Sequence, residues 1–266
     1  MQKHRIRPVS RGAALLAALA GSACALLGAH AALADDPPRT KYGPQAVRLQ
    51  DDPAYVREQP APDFWVPFPY YLPQPTDSAC STTSVAMLVN GLRAKRALRA
   101  DEKLVTPEGL LERTGSAAWA QAVRSGGDGV SLDQLGARIE QSLAAYELRG
   151  WRVEVVHTDS DAAPALERLR AALAENERSS DDLIVANFLQ SELTGDPDGA
   201  VGHMSPIGAY DALRRRVLVL DPDRTWYEPY WVSDTALLRA MSTRDVAGGG
   251  LARGFVWVRR AGGKPE

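Results

Sequence analysis

The chain has 266 residues, of which 45% are hydrophobic and 24% charged, and its formal net charge is −2. This composition is that of an ordinary globular protein and excludes a disordered or a collagen-like chain. A slightly negative charge without a basic stripe argues against nucleic acid as the partner, because nothing would neutralise the phosphates.

The first 34 residues have the three-part pattern of a secretory signal peptide. A head with four basic and no acidic side chains precedes an apolar stretch at residues 13–27 and small residues at 32–34. The apolar stretch is short for a transmembrane helix. We therefore expect cleavage after Ala34, export to the bacterial periplasm, and a mature chain without a membrane span. The alternative is a lipoprotein anchored through Cys24.

Cleavage after Ala34 would take four of the 31 basic residues and leave 27 against 33 acidic ones. It would also leave one cysteine, Cys80, and two histidines, His157 and His203. A single cysteine forms no internal disulfide, and its free thiol is exposed to oxidation in an oxidising compartment. A lone cysteine is usually a buried core residue, but the residues around Cys80 favour a nucleophile.

The chain divides further at about residue 62. Residues 35–62 are rich in proline and charge and predict an extended arm, and residues 63–266 form the main domain. A dense apolar pattern at residues 81–92 predicts a helix. We expect Asp77 or Ser78 to cap this helix, which places Cys80 in its first turn.

Helices and strands follow in two groups. Further helices are expected from Thr106, from the capping box at residues 131–134 to about 148, at 161–174, and at 233–241. Strand-like runs lie at residues 151–157, 183–189, 216–220 and 255–258. The order predicts an α+β fold, in which a helical half carrying Cys80 packs on a mainly antiparallel β half, with the site in the cleft.

A thiol attacks a carbonyl as the thiolate, which a helix N-terminus and a neighbouring histidine both favour. His203 follows a loop and suits a general base better than His157, which closes an alternating strand. Asp221 ends a strand eighteen residues after His203 and either orients its imidazole or caps a turn. Gln74, six residues before Cys80, is a candidate oxyanion donor together with the Cys80 amide.

An ordered series of motifs resembles the catalytic domain of phytochelatin synthases and their bacterial relatives over residues 64–260. The matching positions are Gln74, Cys80 and Ser84, then residues 90–92 (NGL), 131–136 (SLDQLG), 187–189 (NFL), 202–210 (GHMSPIGAY), 217–221 (VLVLD), Arg224, Tyr227, 231–232 (WV), 241–245 (MSTRD) and 253–255 (RGF). One such motif would be weak, but their order and spacing together make the resemblance specific.

The resemblance implies a papain-like fold and attack of Cys80 on the Cys–Gly amide of glutathione, with release of glycine. It assigns His203 as general base and acid, Asp221 as its orienter and Gln74 as oxyanion donor. Asp245 and Arg253 match the positions that hold the amino and carboxylate groups of the γ-glutamyl end, and Arg224 lies near the site. The γ-glutamylcysteinyl group then passes mainly to water, or to a second glutathione.

No cofactor is expected, and heavy-metal ions would enter only as metal–glutathione thiolate substrates. The chain departs from the family pattern at Ser81, where the family usually has Gly, and at Trp226, where the family often has a basic residue. It also has a glycine-rich loop before Arg253. We expect no Cys-rich, metal-responsive tail like that of plant members. The sequence leaves the oligomeric state open, with a dimer as one outcome.

Two other functions remain open at this point. A papain-like peptidase of small peptides also carries Gln, Cys, His and Asp in this order, but it needs no clamp such as Asp245 and Arg253. An inactive periplasmic binder of thiols or metal thiolates would not need a complete triad.

Overall fold

The computed structural model describes residues 40–262, which form helices around one antiparallel sheet. The helices are α1 (Ala54–Glu58), α2 (Pro62–Trp65), α3 (Cys80–Arg93), α4 (Pro107–Thr114), α5 (Ala117–Ala122), α6 (Leu132–Ala145), α7 (Ala163–Asn176), α8 (Gln190–Thr194) and α9 (Asp234–Met241). The strands are β1 (Val47–Arg48), β2 (Trp151–His157), β3 (Asp182–Leu189), β4 (Gly202–Asp211), β5 (Arg216–Val219), β6 (Tyr230–Ser233), β7 (Arg244–Asp245), β8 (Leu251–Ala252) and β9 (Gly254–Arg260).

Seven strands form the main sheet in the order β1-β6-β5-β4-β3-β9-β2, and every neighbouring pair is antiparallel. Strands β7 and β8 form a separate two-stranded hairpin that leads into β9. The predicted mixture of helices with mainly antiparallel strands is therefore confirmed.

Strand β3 is apolar on both of its faces, and this decides how the helices are arranged. Leu183 and Val185 join a core cluster with residues of α3 and α6, whereas Ile184 and Phe188 join a cluster with residues of α7 and α9. A strand that is apolar on both sides requires cover on both sides. The predicted helical half covers one face of the sheet, and α7 and α9 cover the other.

Local sequence signals predicted several boundaries closely. The helix expected at residues 81–92 is α3, Cys80–Arg93. Ser131 and Gln134 form the predicted capping box of α6, with both reciprocal hydrogen bonds present. Thr106 and Ser233 cap α4 and α9 through their side chains.

The segment at residues 40–62 is partly extended and partly helical, and it contacts the main sheet. Within it, β1 pairs with β6 through Val47 and Trp231. The Trp231 indole donates to the Asp52 carbonyl at 3.0 Å, and the Tyr55 hydroxyl donates to the Tyr210 carbonyl at 3.0 Å. These contacts fix the segment on the edge of the sheet.

The predicted signal peptide, residues 1–34, and the alternative lipid site at Cys24 lie outside the described residues. Among the described helices, none combines the length and apolar character that crossing a membrane requires.

Candidate active site

Cys80 is the first residue of α3, and only 9% of its surface is exposed. Residue 79 is the N-cap, and it provides no side-chain hydrogen bond to the helix. The amides of the first turn are therefore not capped by a side chain, and their partial positive charge favours a negative charge at Cys80.

The expectation that Asp77 or Ser78 caps α3 was wrong, because both side chains bind a neighbouring loop. The Gly126 amide donates to the Asp77 carboxylate at 3.1 Å, and the Ser78 hydroxyl donates to the Gly127 carbonyl at 2.7 Å. Thr76 adds a third bond to this loop, to the Val123 carbonyl at 2.6 Å. The three bonds hold the segment before Cys80 against the α5–α6 connection and leave the helix start uncapped.

A buried hydrogen bond positions α3 against β4. The Ser84 hydroxyl donates to the Met204 carbonyl at 3.0 Å. Ser84 follows Cys80 by four residues and so lies on the same face of the helix, while Met204 follows His203. The bond therefore aligns the N-terminal turn of α3 with the start of β4, where His203 is the second residue.

His203 and Asp221 form a buried pair. The His203 Nε2 and the Asp221 Oδ1 are 2.8 Å apart, and the two residues are 5% and 0% exposed. Asp221 follows β5, which pairs with β4 across a register shift between Ile207 and residue 209. The strand pairing thus brings together two residues that are eighteen positions apart, as the sequence predicted.

His203 and Asp221 each stabilise the charged form of the other. Burial would lower the pKa of His203, but the charge of Asp221, the hydrogen bond with Asp221 and the nearby Cys80 side chain raise it well above its ordinary value. Burial would raise the pKa of Asp221, but the charge of His203 and the hydrogen bonds to the carboxylate hold it below its ordinary value. Both directions favour an imidazolium beside a carboxylate.

Cys80 lies close enough to His203 to raise the histidine's pKa. Asp221 occupies Nε2 of the His203 ring, which leaves Nδ1 for another partner. His157, the other histidine of the main domain, is occupied elsewhere: its Nδ1 contacts the Ala252 carbonyl at 2.6 Å and its Nε2 the Asp133 carboxylate at 3.0 Å.

Asp221 accepts three further hydrogen bonds, and the sequence did not predict the two from side chains. Its Oδ2 accepts from the Gln190 side-chain amide at 2.9 Å and from the Tyr230 hydroxyl at 3.1 Å, while the Asp223 backbone amide donates to Oδ1 at 2.9 Å. Gln190 and Tyr230 are 1% and 0% exposed. A glutamine directly after an apolar strand was the only sequence signal for this contact.

The backbone of Gln74 binds the loop between β5 and β6, residues 220–229, which we call the Asp221 loop. Its amide donates to the Pro222 carbonyl at 2.8 Å. The side-chain nitrogen lies 3.5 Å from the Asp77 carbonyl, a separation at which a hydrogen bond is weak. Its Oε1 is buried and has no partner among residues 40–262. The segment 74–80 therefore connects the Asp221 loop with the start of α3.

Arg224 is exposed, and its guanidinium lies over the ring of Tyr71, 4.8 Å from the centroid. The Tyr71 hydroxyl donates to the Asp221 carbonyl. Tyr71 therefore contacts the Asp221 loop at two points, through Arg224 and through the Asp221 carbonyl. Arg224 also borders an open cavity of about 610 Å³ together with the exposed Trp226, over which the Lys41 ammonium lies at 4.7 Å.

Asp245 and Arg253 lie together at the β7–β8 hairpin, 8% and 6% exposed. The Asp245 Oδ1 and the Arg253 Nη2 are 3.4 Å apart, and the Arg253 Nη1 donates to the Thr243 hydroxyl and the Arg244 carbonyl. The Arg253 Nε is buried without a partner among the described residues. A Cβ at Gly202 would lie 2.9 Å from the Arg253 Nη2, so the guanidinium is adjacent to the residue before His203.

The substitution of serine at position 81 is accommodated inside the helical layer. The Trp119 indole donates to the Ser81 hydroxyl at 3.0 Å, and both side chains are buried. The Ser81 hydroxyl therefore has a defined partner in the core cluster of α3.

Within residues 40–262, no three His, Cys, Asp or Glu side chains are grouped so that they could hold a metal ion. The described residues thus bring together a thiol at a helix start, a buried imidazole–carboxylate pair, and a separate carboxylate–guanidinium pair.

Comparison with known proteins relates the chain to one enzyme family. Residues 56–255 match the family model described as phytochelatin synthase. The glutathione gamma-glutamylcysteinyltransferase 1 of Triticum aestivum is 35% identical over 117 residues, which cover 44% of this chain and 22% of the wheat protein. The glutathione gamma-glutamylcysteinyltransferase 3 of Lotus japonicus is 42% identical over 84 residues, 31% of this chain and 16% of that protein.

A solved structure, the Pseudomonas avirulence protein AvrPphB, matches 69% of this chain and 91% of its own, at 13% identity and a TM-score of 0.30. The matches with the two plant transferases span less than a quarter of their length. The family model, in contrast, extends over most of the chain, from α1 to β9. The chain belongs to the phytochelatin synthase family.

Proposed function

We propose that the protein is a glutathione γ-glutamylcysteinyltransferase-like enzyme that cleaves the Cys–Gly amide of glutathione. The observation that carries this proposal is the buried His203–Asp221 pair beside Cys80 at an uncapped helix start, in a chain of this family. The names of the plant relatives supply the substrate class.

In the first step, the Cys80 thiolate attacks the carbonyl carbon of the Cys–Gly amide. The sulfur–carbon bond forms, and the Cys80 backbone amide and the Gln74 side-chain amide stabilise the oxyanion. His203 then donates a proton to the glycine nitrogen as the carbon–nitrogen bond breaks. Asp221 keeps the imidazole oriented and stabilises its positive charge.

In the second step, water attacks the γ-glutamylcysteinyl thioester. His203 takes the proton from water, the sulfur–carbon bond breaks, and the proton remains on the imidazole beside the regenerated thiolate. A second glutathione can replace water and yields a phytochelatin chain. We propose that water is the main acceptor, and that heavy-metal ions take part only as thiolates of the substrate, without a cofactor.

Asp245 and Arg253 form the proposed donor-substrate clamp. The γ-glutamyl end of glutathione carries a free ammonium and a free carboxylate, which suit a carboxylate and a guanidinium side by side. The Arg253 Nε supports this assignment, because a bound carboxylate would satisfy a buried donor that has no partner within residues 40–262. Arg224 is proposed to lie at the edge of the same site.

The proposed fold is papain-like, with the nucleophile on a buried helix and the histidine and aspartate on the sheet. Export to the periplasm through residues 1–34 is a further proposal that rests on the sequence pattern alone. A peptidase of small peptides and an inactive thiol or metal-thiolate binder are the competing functions. The clamp disfavours the first, and the complete set of Cys80, His203 and Asp221 disfavours the second.

Incubation of the purified protein with glutathione and measurement of free glycine tests the proposal. We expect one glycine for each glutathione consumed, and no glycine from the Cys80→Ala variant. A peptidase would instead release amino acids from unrelated peptides at comparable rates. A binder would retain glutathione or its metal thiolate without releasing glycine, and either outcome would contradict the proposed function.

A further inference from the structure

The second carboxylate oxygen of Asp221 is occupied by two side chains that the chemistry described above does not use. Oδ1 contacts His203 at 2.8 Å and accepts from the Asp223 amide, whereas Oδ2 accepts only from Gln190 and Tyr230 among the described residues. Four donors thus surround a carboxylate that is 0% exposed.

A buried carboxylate needs such donors in order to remain charged. Burial penalises the anion, and each hydrogen bond to it offsets part of that penalty. The bond from His203 is present only at Oδ1, so Oδ2 depends on Gln190 and Tyr230 for its compensation. Burial and the charge of Asp221 raise the pKa of Tyr230 well above its ordinary value, so its hydroxyl stays a donor at every physiological pH.

The two donors are held in place by the fold. Gln190 follows β3 directly, and its backbone amide donates to the Val201 carbonyl at 3.0 Å. Its side-chain nitrogen also lies 3.2 Å from the Tyr230 hydroxyl. The Tyr230 ring on β6 packs against that of Tyr42 at a centroid distance of 5.7 Å. Donors from β6 and from the end of β3 therefore converge on Asp221 with fixed directions.

We propose that Gln190 and Tyr230 are positioning residues, which keep Asp221 ionised and aimed at His203 without touching the substrate. When either donor is lost, Asp221 takes up a proton at a higher pH. A neutral Asp221 no longer stabilises the His203 imidazolium, and the Cys80 thiolate loses its partner. The working pH range of the thiol is therefore set partly by residues on β6 and at the end of β3.

Other titratable groups also face this site and are unchanged in the Gln190 and Tyr230 variants. They are His203, Asp223, Tyr42, Tyr71 and Tyr227 around Asp221, and Cys80 beyond His203. Among them, Tyr227 provides a matched control. It is 6% exposed and belongs to the same aromatic group as Tyr230, but its hydroxyl donates to Asp196 at 3.0 Å rather than to Asp221.

The test measures the rate of Cys80 alkylation by iodoacetamide as a function of pH in the full protein. This readout needs no glutathione, so it stays informative even if the proposed function fails. We expect Tyr230→Phe and Gln190→Met each to move the acid limb of the profile upward by about one pH unit, because each removes a hydrogen bond to a charged group. The limb of Tyr227→Phe should coincide with that of the unchanged protein.

Glycine release from glutathione supplies a second readout, which rests on the proposed function. Both positioning variants should lower kcat at least about fivefold and leave KM nearly unchanged, since they alter the triad and not the clamp. Acid limbs that coincide in all four proteins would overturn the proposal, even if Tyr230→Phe and Gln190→Met melt at lower temperatures. Each substitution removes its own hydrogen bond to Oδ2, so misfolding of one variant leaves the other to decide.

Discussion

Ser84 joins α3 to β4, since its hydroxyl donates to the Met204 carbonyl at 3.0 Å from the same helix face as Cys80. We expect Ser84→Ala to lower the free energy of unfolding by about 1 kcal/mol, because it leaves a buried carbonyl without its partner. It should also slow Cys80 alkylation at neutral pH. Chemical denaturation measures the first effect, and iodoacetamide labelling measures the second.

Ser142→Ala is the matched control for this variant. Ser142 is also buried on a helix, but its hydroxyl donates within α6 to the Arg138 carbonyl at 2.6 Å. This substitution should leave the alkylation rate unchanged. Equal rates in Ser84→Ala and Ser142→Ala would show that the bond to Met204 does not align Cys80 with His203.

The thiol's reactivity should depend on His203. If the imidazolium stabilises the Cys80 thiolate, iodoacetamide should react well below pH 8, and His203→Ala should slow the reaction greatly. Cys80→Ser should lose turnover almost completely, because a hydroxyl is a poor nucleophile in a site arranged for a thiolate. His157→Ala, which removes the other histidine of the main domain, should alkylate normally. Equal rates in the two histidine variants would remove the triad from the mechanism.

Asp245 and Arg253 should matter for γ-glutamyl substrates and not for the thiol itself. Loss of a charge-assisted contact costs about 2 kcal/mol, so each alanine variant should lower kcat/KM for glutathione at least ~30-fold. Cys80 alkylation should be unchanged in both variants. Normal processing of glutathione by both would refute the clamp and favour a general peptidase.

The contribution of His157 to stability, through its contact with β8 before Arg253, should depend on pH. His157 contacts two acceptors, the Ala252 carbonyl and the Asp133 carboxylate, and only the imidazolium can donate to both. Burial would lower the pKa of His157, but these two contacts raise it above its ordinary value. The extra stability is therefore complete below the unfolded pKa of about 6.5 and is lost as pH rises through the folded pKa.

The His157→Gln variant tests this dependence, because glutamine does not titrate and cannot replace the two N–H donors of the charged imidazolium. We expect the difference in melting temperature between the unchanged protein and this variant to be larger at pH 6 than at pH 9. A difference that is constant with pH would mean that the neutral ring contributes as much as the charged one.

Sequence patterns predicted those features that depend on neighbouring residues. The capping box of Ser131 and Gln134 needs only a three-residue spacing, and the structure confirms it. The cap of α3 failed because the choice of partner is tertiary: Asp77 binds the Gly126 amide, 49 residues away, instead of its own helix. A local rule cannot anticipate that competition.

The contacts of Asp221 show the same limit at the site. His203 was predicted beside Asp221 because a turn between antiparallel strands brings them together. Gln190 and Tyr230 lie 31 and nine residues from Asp221, and their approach depends on the order of β3, β4, β5 and β6 in the sheet. No periodicity in the sequence specifies that order.

The fate of the acyl-enzyme is the remaining prediction. Water competes with a second glutathione for the thioester, and it prevails unless an acceptor site raises the local concentration of glutathione. We expect γ-glutamylcysteine to be the major product at millimolar glutathione, with longer chains minor even when cadmium is added. Mass spectrometry of the products measures the ratio directly.

Chains of two or more γ-glutamylcysteine units as the dominant product would contradict this prediction and indicate an acceptor site. The open cavity beside Arg224 and Trp226 would then be the first region to test, since it adjoins the Asp221 loop and carries the Lys41 ammonium. In that case Arg224→Ala should reduce the long chains and leave glycine release intact. Loss of both activities would instead place Arg224 at the donor site.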